Sequence, residues 1–265
     1  MVVKRDTLHL ISDRLTFLRR PFLRGVPTIF SSLVLGIRAL NFSAVQAMEE
    51  EEGGETATWP LVLSTSLALG LGVTLFFYLP LLLAKGLNHL VPALGEGVLF
   101  NVTDGVFRLA IFLLYLYLIS RWGEIRRIFE YHGAEHMAVS AYEDGGELDV
   151  ETVRRYDRIH PRCGTSFLLA VMVVSIVVFS LIPPAWPFWT KLLSRIVLLP
   201  LIAGISYEVI KIGGHAGGST LVRILNAPGL WLQGITTRKP DDGQIEVAIE
   251  ALKAVLAMER GDSPA

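Results

Sequence analysis

The chain has 265 residues, 52% of them hydrophobic and only 18% charged, with a mean hydropathy of +0.49. Soluble domains carry roughly 25% charged residues, so this balance argues against an ordinary soluble protein and predicts a membrane protein of one or two domains. The net charge of −1 says nothing about nucleic acid and no basic, aromatic-studded patch argues for it, so no nucleic-acid partner is expected; the single cysteine, Cys163, excludes an intramolecular disulfide framework.

Residues 1–20 are mixed and basic and lack the apolar core of a signal peptide, which predicts no cleavage. From Phe22 to Ala47, apolar residues (Phe22, Val26, Phe30, Leu33, Ile37, Leu40) recur at helical spacing, interrupted by Gly25, Pro27, Gly36 and Arg38. That pattern suits a helix lying in the membrane interface. Glu49 to Glu52, followed by Gly53-Gly54, reads as a solvated linker, so residues 1–58 form an N-terminal cytoplasmic and interfacial segment.

Residues 59–220 read as the transmembrane body. Its first span, Trp59 to Leu83, carries no charge, and Pro80 predicts a kink at its far end. The second, Val98 to Ile119, contains Asp104 and Arg108, which are four apart and so pair on one helix face. A polar loop, 120–165, precedes the third span, Ser166 to Ile182, which Pro183-Pro184 ends. The fourth, Leu192 to Ile210, carries Arg195, Pro200 and Glu208. The tail, 221–265, holds an apolar stretch from Leu221 to Leu232 and then a helix capped at Asp241-Asp242, with Ile245, Ile249, Leu252 and Leu256 on one face.

The expected fold is therefore an all-α integral membrane protein of about four transmembrane helices. An N-terminal interfacial helix, a cytoplasmic helical loop and a C-terminal amphipathic helix complete it. Basic residues crowd the N-terminal segment, the 120–165 loop and the tail, which places both termini and that loop in the cytoplasm. The lipid bilayer is the implied partner, and association into a homo-oligomer stays open.

The chemistry gathers in the loop. Tyr131-His132-Gly133-Ala134-Glu135-His136 spells H-x-x-E-H, and residues four apart on a helix lie on one face. His132 and His136 are thus candidate ligands of one divalent metal, zinc above others, with Glu135 as general base. A catalytic zinc takes three protein ligands and keeps one position open. His160, Cys163 and Glu208 are the candidates for the third, with His160 first and Glu208 second. Imidazole suits several metals, and a carboxylate at the membrane edge is costly unless paired or coordinated. Arg162 is placed to stabilise developing negative charge, and His215 is a more peripheral candidate. Cys163-Gly164-Thr165-Ser166 also reads as the start of the third helix, with Thr165 or Ser166 as cap. Gly133 costs a helix about 1 kcal/mol relative to alanine, which fits close approach by another backbone or by a substrate. The expected function is a membrane-bound metal-dependent hydrolase. An ion-coupled transporter using Asp104, Arg108 and Glu208, or a scaffold with a structural metal, are the alternatives.

Several segments resemble the YqhQ-like family of bacterial membrane proteins. They are Arg24-Gly25-Val26, Leu35-Gly36-Ile37-Arg38-Ala39-Leu40, Asp104-Gly105-Val106-Phe107-Arg108, the H-x-x-E-H stretch and, most specifically, His160-Pro161-Arg162-Cys163-Gly164-Thr165-Ser166-Phe167. Gly204-Ile205-Ser206-Tyr207-Glu208, Pro228-Gly229-Leu230 with Gln233, Thr236 and Thr237, and Ile245-Glu246-Val247-Ala248-Ile249 follow. The resemblance runs from about Pro21 onward and implies a bacterial inner-membrane, metal-dependent enzyme without an established substrate. Ahead of Arg24 the family's glycine-rich opening segment has no counterpart, which leaves a start codon assigned too far downstream, or a shorter member, as the two expectations.

Overall fold

The computed structural model describes residues 24–52, 59–95, 97–183, 185–215 and 220–260, and every regular element among them is helical. The expectations for residues 1–20, Phe22, Gly53-Gly54 and Pro184 lie outside the described residues, as do the side chains of Leu33, Leu40, His215 and residues 221–225. Helix α1, Gly25–Glu52, covers the Glu49 to Glu52 part of the stretch expected to be a linker. Ala47, Met48 and four successive glutamates are good helix formers, and local propensity carries the helix on.

The chain divides into two compact units. The first comprises the described parts of 24–112 and 171–209. Here α2 (Trp59–Val73), a π-helical turn (Thr74–Tyr78) and α3 (Leu79–Leu90) form one apolar run, followed by α4 (Gly97–Ile119). Val62–Leu90 and Val98–Ile119 are long and apolar enough to cross a membrane. Leu67, Leu69 and Leu71 are all more than half exposed, so α2 turns apolar side chains outward all round, as a helix facing lipid does. Pro80 has no N–H to return to the Phe76 carbonyl. The ladder slips to a longer bond, from Leu79 N–H to the Thr74 carbonyl, and the Arg108 guanidinium (Nε) donates to Phe76 O at 2.9 Å. A guanidinium donor suits a backbone carbonyl in so apolar a segment.

The remaining expected spans are less regular. Helix α7, Gly164–Ser180, is apolar but only 17 residues long. The expected continuous fourth span is instead two helices, α8 (Phe188–Val197) and α9 (Leu199–His215), meeting at 46°. Pro200 explains the break, because its ring clashes with the carbonyl four residues back. The described helices thus include two candidate spans, or three if the bent pair is one.

Within this unit the Asp104 and Arg108 pair forms as expected, at 2.9 Å, and gains a second cation: Arg195 Nη1 donates to the other Asp104 oxygen at 2.8 Å. Arg195 Nη2 reaches Asn101, and Arg108 Nη1 reaches Ser175. All of these side chains are buried.

The second unit contains the described parts of 113–170 and 210–265. Its core sets Ala134, Met137, Ala138 and Ala141 of α5 (Gly123–Glu143) against Ile245 and Ile249 of α11 (Asp242–Arg260), with Val153 of the short α6 (Val150–Val153) beneath. Each large apolar side chain buried this way contributes about 1.5–3 kcal/mol. Asp241 caps α11 as a capping box. Its carboxylate accepts from Gln244 N–H, while Gln244 Oε1 accepts from Asp241 N–H. Helix α10, Thr220–Thr236, completes the unit.

Candidate metal centre

The alanine stripe of α5 faces α11, and the neighbouring stripe carries His132 and His136, so the two imidazoles share a face with ring centroids 4.4 Å apart. Both rings are anchored from behind. His132 Nδ1 lies 2.9 Å from Thr236 O, and His136 Nδ1 lies 2.6 Å from Arg158 O. A carbonyl only accepts, so each Nδ1 carries a proton and each Nε2 is the ring atom left to face a metal ion. This is the outer-shell arrangement that orients metal-binding histidines.

Gly133 stands between them because a Cβ there would lie 2.1 Å from the Arg238 carbonyl. The close approach is by backbone, and it brings the end of α10 against α5. Arg238 N–H donates to Phe129 O at 2.8 Å in the same contact.

The third donor comes from the turn before α7. Cys163 Sγ is 3.3 Å from His132 Nε2, and the donor atoms of His132, His136 and Cys163 all lie within 4.8 Å of one another. Cys163 also caps α7, in place of the expected Thr165 or Ser166. Its sulfur accepts from Thr165 N–H at 3.4 Å, and its carbonyl accepts from Ser166 N–H at 3.2 Å. Burial alone would raise the thiol's pKa, but hydrogen bonds from His132, His136 and Thr165 outweigh it and lower the value from 9.0 to about 5. His132 shifts the opposite way. Burial disfavours its charge, yet the Cys163 sulfur and the Thr236 carbonyl favour it more and hold its pKa above the ordinary value. The sulfur therefore stands as a thiolate at neutral pH.

The other candidates fall elsewhere. His160 is buried beside the cluster, its ring 5.8 Å from that of His136, but both its nitrogens are engaged. Nδ1 accepts from Arg162 N–H, and Nε2 points to Glu143 at 3.3 Å. His160 thus orients Glu143, and Cys163, three residues on, takes the place expected for it. Glu208 belongs to the other unit, where Arg24 grips both its oxygens at 2.7 and 2.5 Å. A carboxylate that needed a partner found a guanidinium. Glu135 is exposed, with Oε2 3.7 Å from His136 Nε2, and Arg162 is exposed and paired to Glu143 at 2.6 Å. His160, Glu135, Arg162 and Glu143, with the three donors, line a cleft of about 310 Å³.

Residues that sequence reasoning did not single out do much of the positioning: Glu143, Arg158 and Gln233. Glu143 sits two turns beyond His136 on the same face, which is the signal that would have found it. The carbonyls of Thr236 and Arg158 leave no trace in side-chain spelling.

Three donors of the right chemistry, with their reverse sides anchored, fit a divalent cation. Imidazole nitrogen and thiolate sulfur are the set that zinc accepts.

The family described as protein of unknown function (DUF1385) matches residues 20–258. The chain is 35% identical over 248 residues to the uncharacterized protein YqhQ of Bacillus subtilis (strain 168), a match covering 90% of this chain and 78% of that one. No solved structure matches it. With residues 20–258 matched, the chain belongs to the DUF1385 family.

Proposed function

We propose that this chain is a membrane-bound, metal-dependent hydrolase whose cation, zinc above others, is held by His132, His136 and Cys163. The observation that carries the reading is the convergence of two anchored Nε2 atoms and one low-pKa sulfur within 4.8 Å. Two neutral imidazoles and one thiolate leave a divalent ion with net positive charge, so that when bound it supplies Lewis acidity toward water and toward a carbonyl or phosphoryl oxygen. Glu135, exposed at the cleft and beside His136, takes the proton from the attacking water. Arg162, once it leaves Glu143, offsets negative charge developing on the substrate. Three donors among the described residues, rather than four, favour a catalytic over a structural site. The positive-inside pattern and the apolar helices support a multi-pass inner-membrane protein with this site on the cytoplasmic side.

Elemental analysis of the detergent-purified protein tests the reading. We expect about one zinc per chain in the wild type and almost none in the His132→Ala, His136→Ala double variant. Equal and negligible metal in both would sink it.

One contact favours a second reading. A thiolate 3.3 Å from an imidazole is also the geometry of a cysteine nucleophile and its base. Metal-free wild type whose Cys163 is alkylated rapidly as isolated would move the assignment there. The transporter reading is less favoured, because both Asp104 oxygens are already held by arginines and Glu208 by Arg24.

A further inference from the structure

The three donors come from two segments, α5 and the 160–163 turn, and their register depends on something that touches both. That something is the last turn of α10. Gln233 is fully buried there, and its amide pairs with the backbone of His160 in both directions. Nε2 donates to His160 O at 2.9 Å, and Oε1 accepts from His160 N–H at 2.9 Å. Nε2 also reaches Ser166 Oγ, at 3.3 Å, in the first turn of α7. One turn earlier on α10, a Cβ at Gly229 would lie 2.5 Å from the same hydroxyl, so a glycine there lets the helices meet. Gln233 therefore grips the chain on both sides of Cys163.

The same short stretch of α10 also holds α5. Thr236 O, three residues after Gln233, anchors His132. Thr237 O accepts from the Arg158 guanidinium, and the Arg158 carbonyl anchors His136. Three residues within the five from Gln233 to Thr237 thus touch the supports of every donor.

Resting on the metal site proposed above, we infer that Gln233 is a positioning residue that sets the Cys163 sulfur at bonding distance from the histidine pair. The reason is geometric. A glutamine amide offers a donor and an acceptor in one plane, which matches the N–H and C=O of a single residue in extended chain. Without it, the buried His160 N–H loses its partner and the His160 carbonyl keeps only the Cys163 N–H at 3.3 Å, and the turn shifts to recover the lost bonds. A sulfur displaced by a fraction of an ångström is a poorer ligand, and loss of an outer-shell support typically costs 10–100-fold in metal affinity.

Cobalt(II) titration of the metal-stripped, detergent-purified full chain tests this, since a cobalt–thiolate bond absorbs in the near ultraviolet. Wild type is expected to take up one cobalt with that band. Gln233→Met keeps the side chain's length without its hydrogen bonds. It is expected to bind cobalt about 10–100-fold more weakly, with the thiolate band reduced and circular dichroism unchanged. Gln233→Glu keeps the acceptor and loses the donor, so an intermediate affinity is expected. It also decides the matter if the methionine variant does not fold. Wild-type affinity and a full thiolate band in whichever of these variants folds would overturn the inference. A wild type that binds cobalt without a thiolate band, or not at all, would instead overturn the metal site on which it rests.

Discussion

The molecule holds two polar clusters built on opposite principles. Around Asp104, every carboxylate oxygen is spent: Arg108 takes one and Arg195 the other, while the two guanidiniums flank the Phe179 ring at 4.6 and 5.4 Å. One carboxylate between two guanidiniums leaves a net positive charge, yet both of its oxygens are taken, as a buried charge in an apolar segment requires. Around His132, the hydrogen bonds go outward to backbone carbonyls and leave three donor atoms facing one another. A closed cluster holds helices together, and an open one can hold a ligand. The direction in which a polar group spends its bonds separates structure from function better than burial does.

The sharpest way to break the contrast is at Asp104. Asp104→Ala leaves two buried arginines without their anion, and truncating one partner of a buried pair costs about 3–5 kcal/mol. Thermal melts in detergent should show that loss, with metal per folded chain unchanged. A melt equal to wild type would mean that the closed cluster is not structural.

The open cluster should show itself by its titration. In metal-stripped protein, alkylation of Cys163 should stay fast on acidification until the pH falls through about 5, because the lowered pKa keeps the thiolate populated above that value. His132→Ala removes a leading support of the thiolate, so its midpoint should rise toward 9.0, the ordinary value. Identical profiles for the two proteins would contradict the pairing.

A smaller effect is expected at Gly133. Gly133→Ala drives a methyl into the Arg238 carbonyl, and overpacking of this kind costs about 1–3 kcal/mol. The Thr236 anchor lies two residues away, so metal affinity should fall along with stability, as isothermal titration would show. The smallest effect belongs to Glu208→Gln. It loosens a partly exposed pair with Arg24, worth about 1 kcal/mol at most, and should leave metal content untouched. Loss of metal in that variant would return Glu208 to the ligand set.

Much of this was legible in the residues. The H-x-x-E-H spacing put two imidazoles on one helix face and the Asp104 and Arg108 spacing forecast their pair, whereas the break at Pro200 was not foreseen. The third donor was not legible. His160 and Cys163 sit three apart in one turn, and which of them faces the histidines depends on Gln233, 73 residues from His160. Glu208 was correctly read as a carboxylate in need of a partner, but Arg24 lies 184 residues away and spacing is silent at that range. The linker expected at Glu49 to Glu52 failed for a simpler reason, since four like charges remain good helix formers when solvated.

X-ray absorption at the metal edge of the purified wild type reads the ligand set itself. Two nitrogen scatterers at about 2.0–2.1 Å and one sulfur at about 2.3 Å are expected, with the sulfur lost in Cys163→Ser. A first shell without sulfur in the wild type would contradict that ligand set.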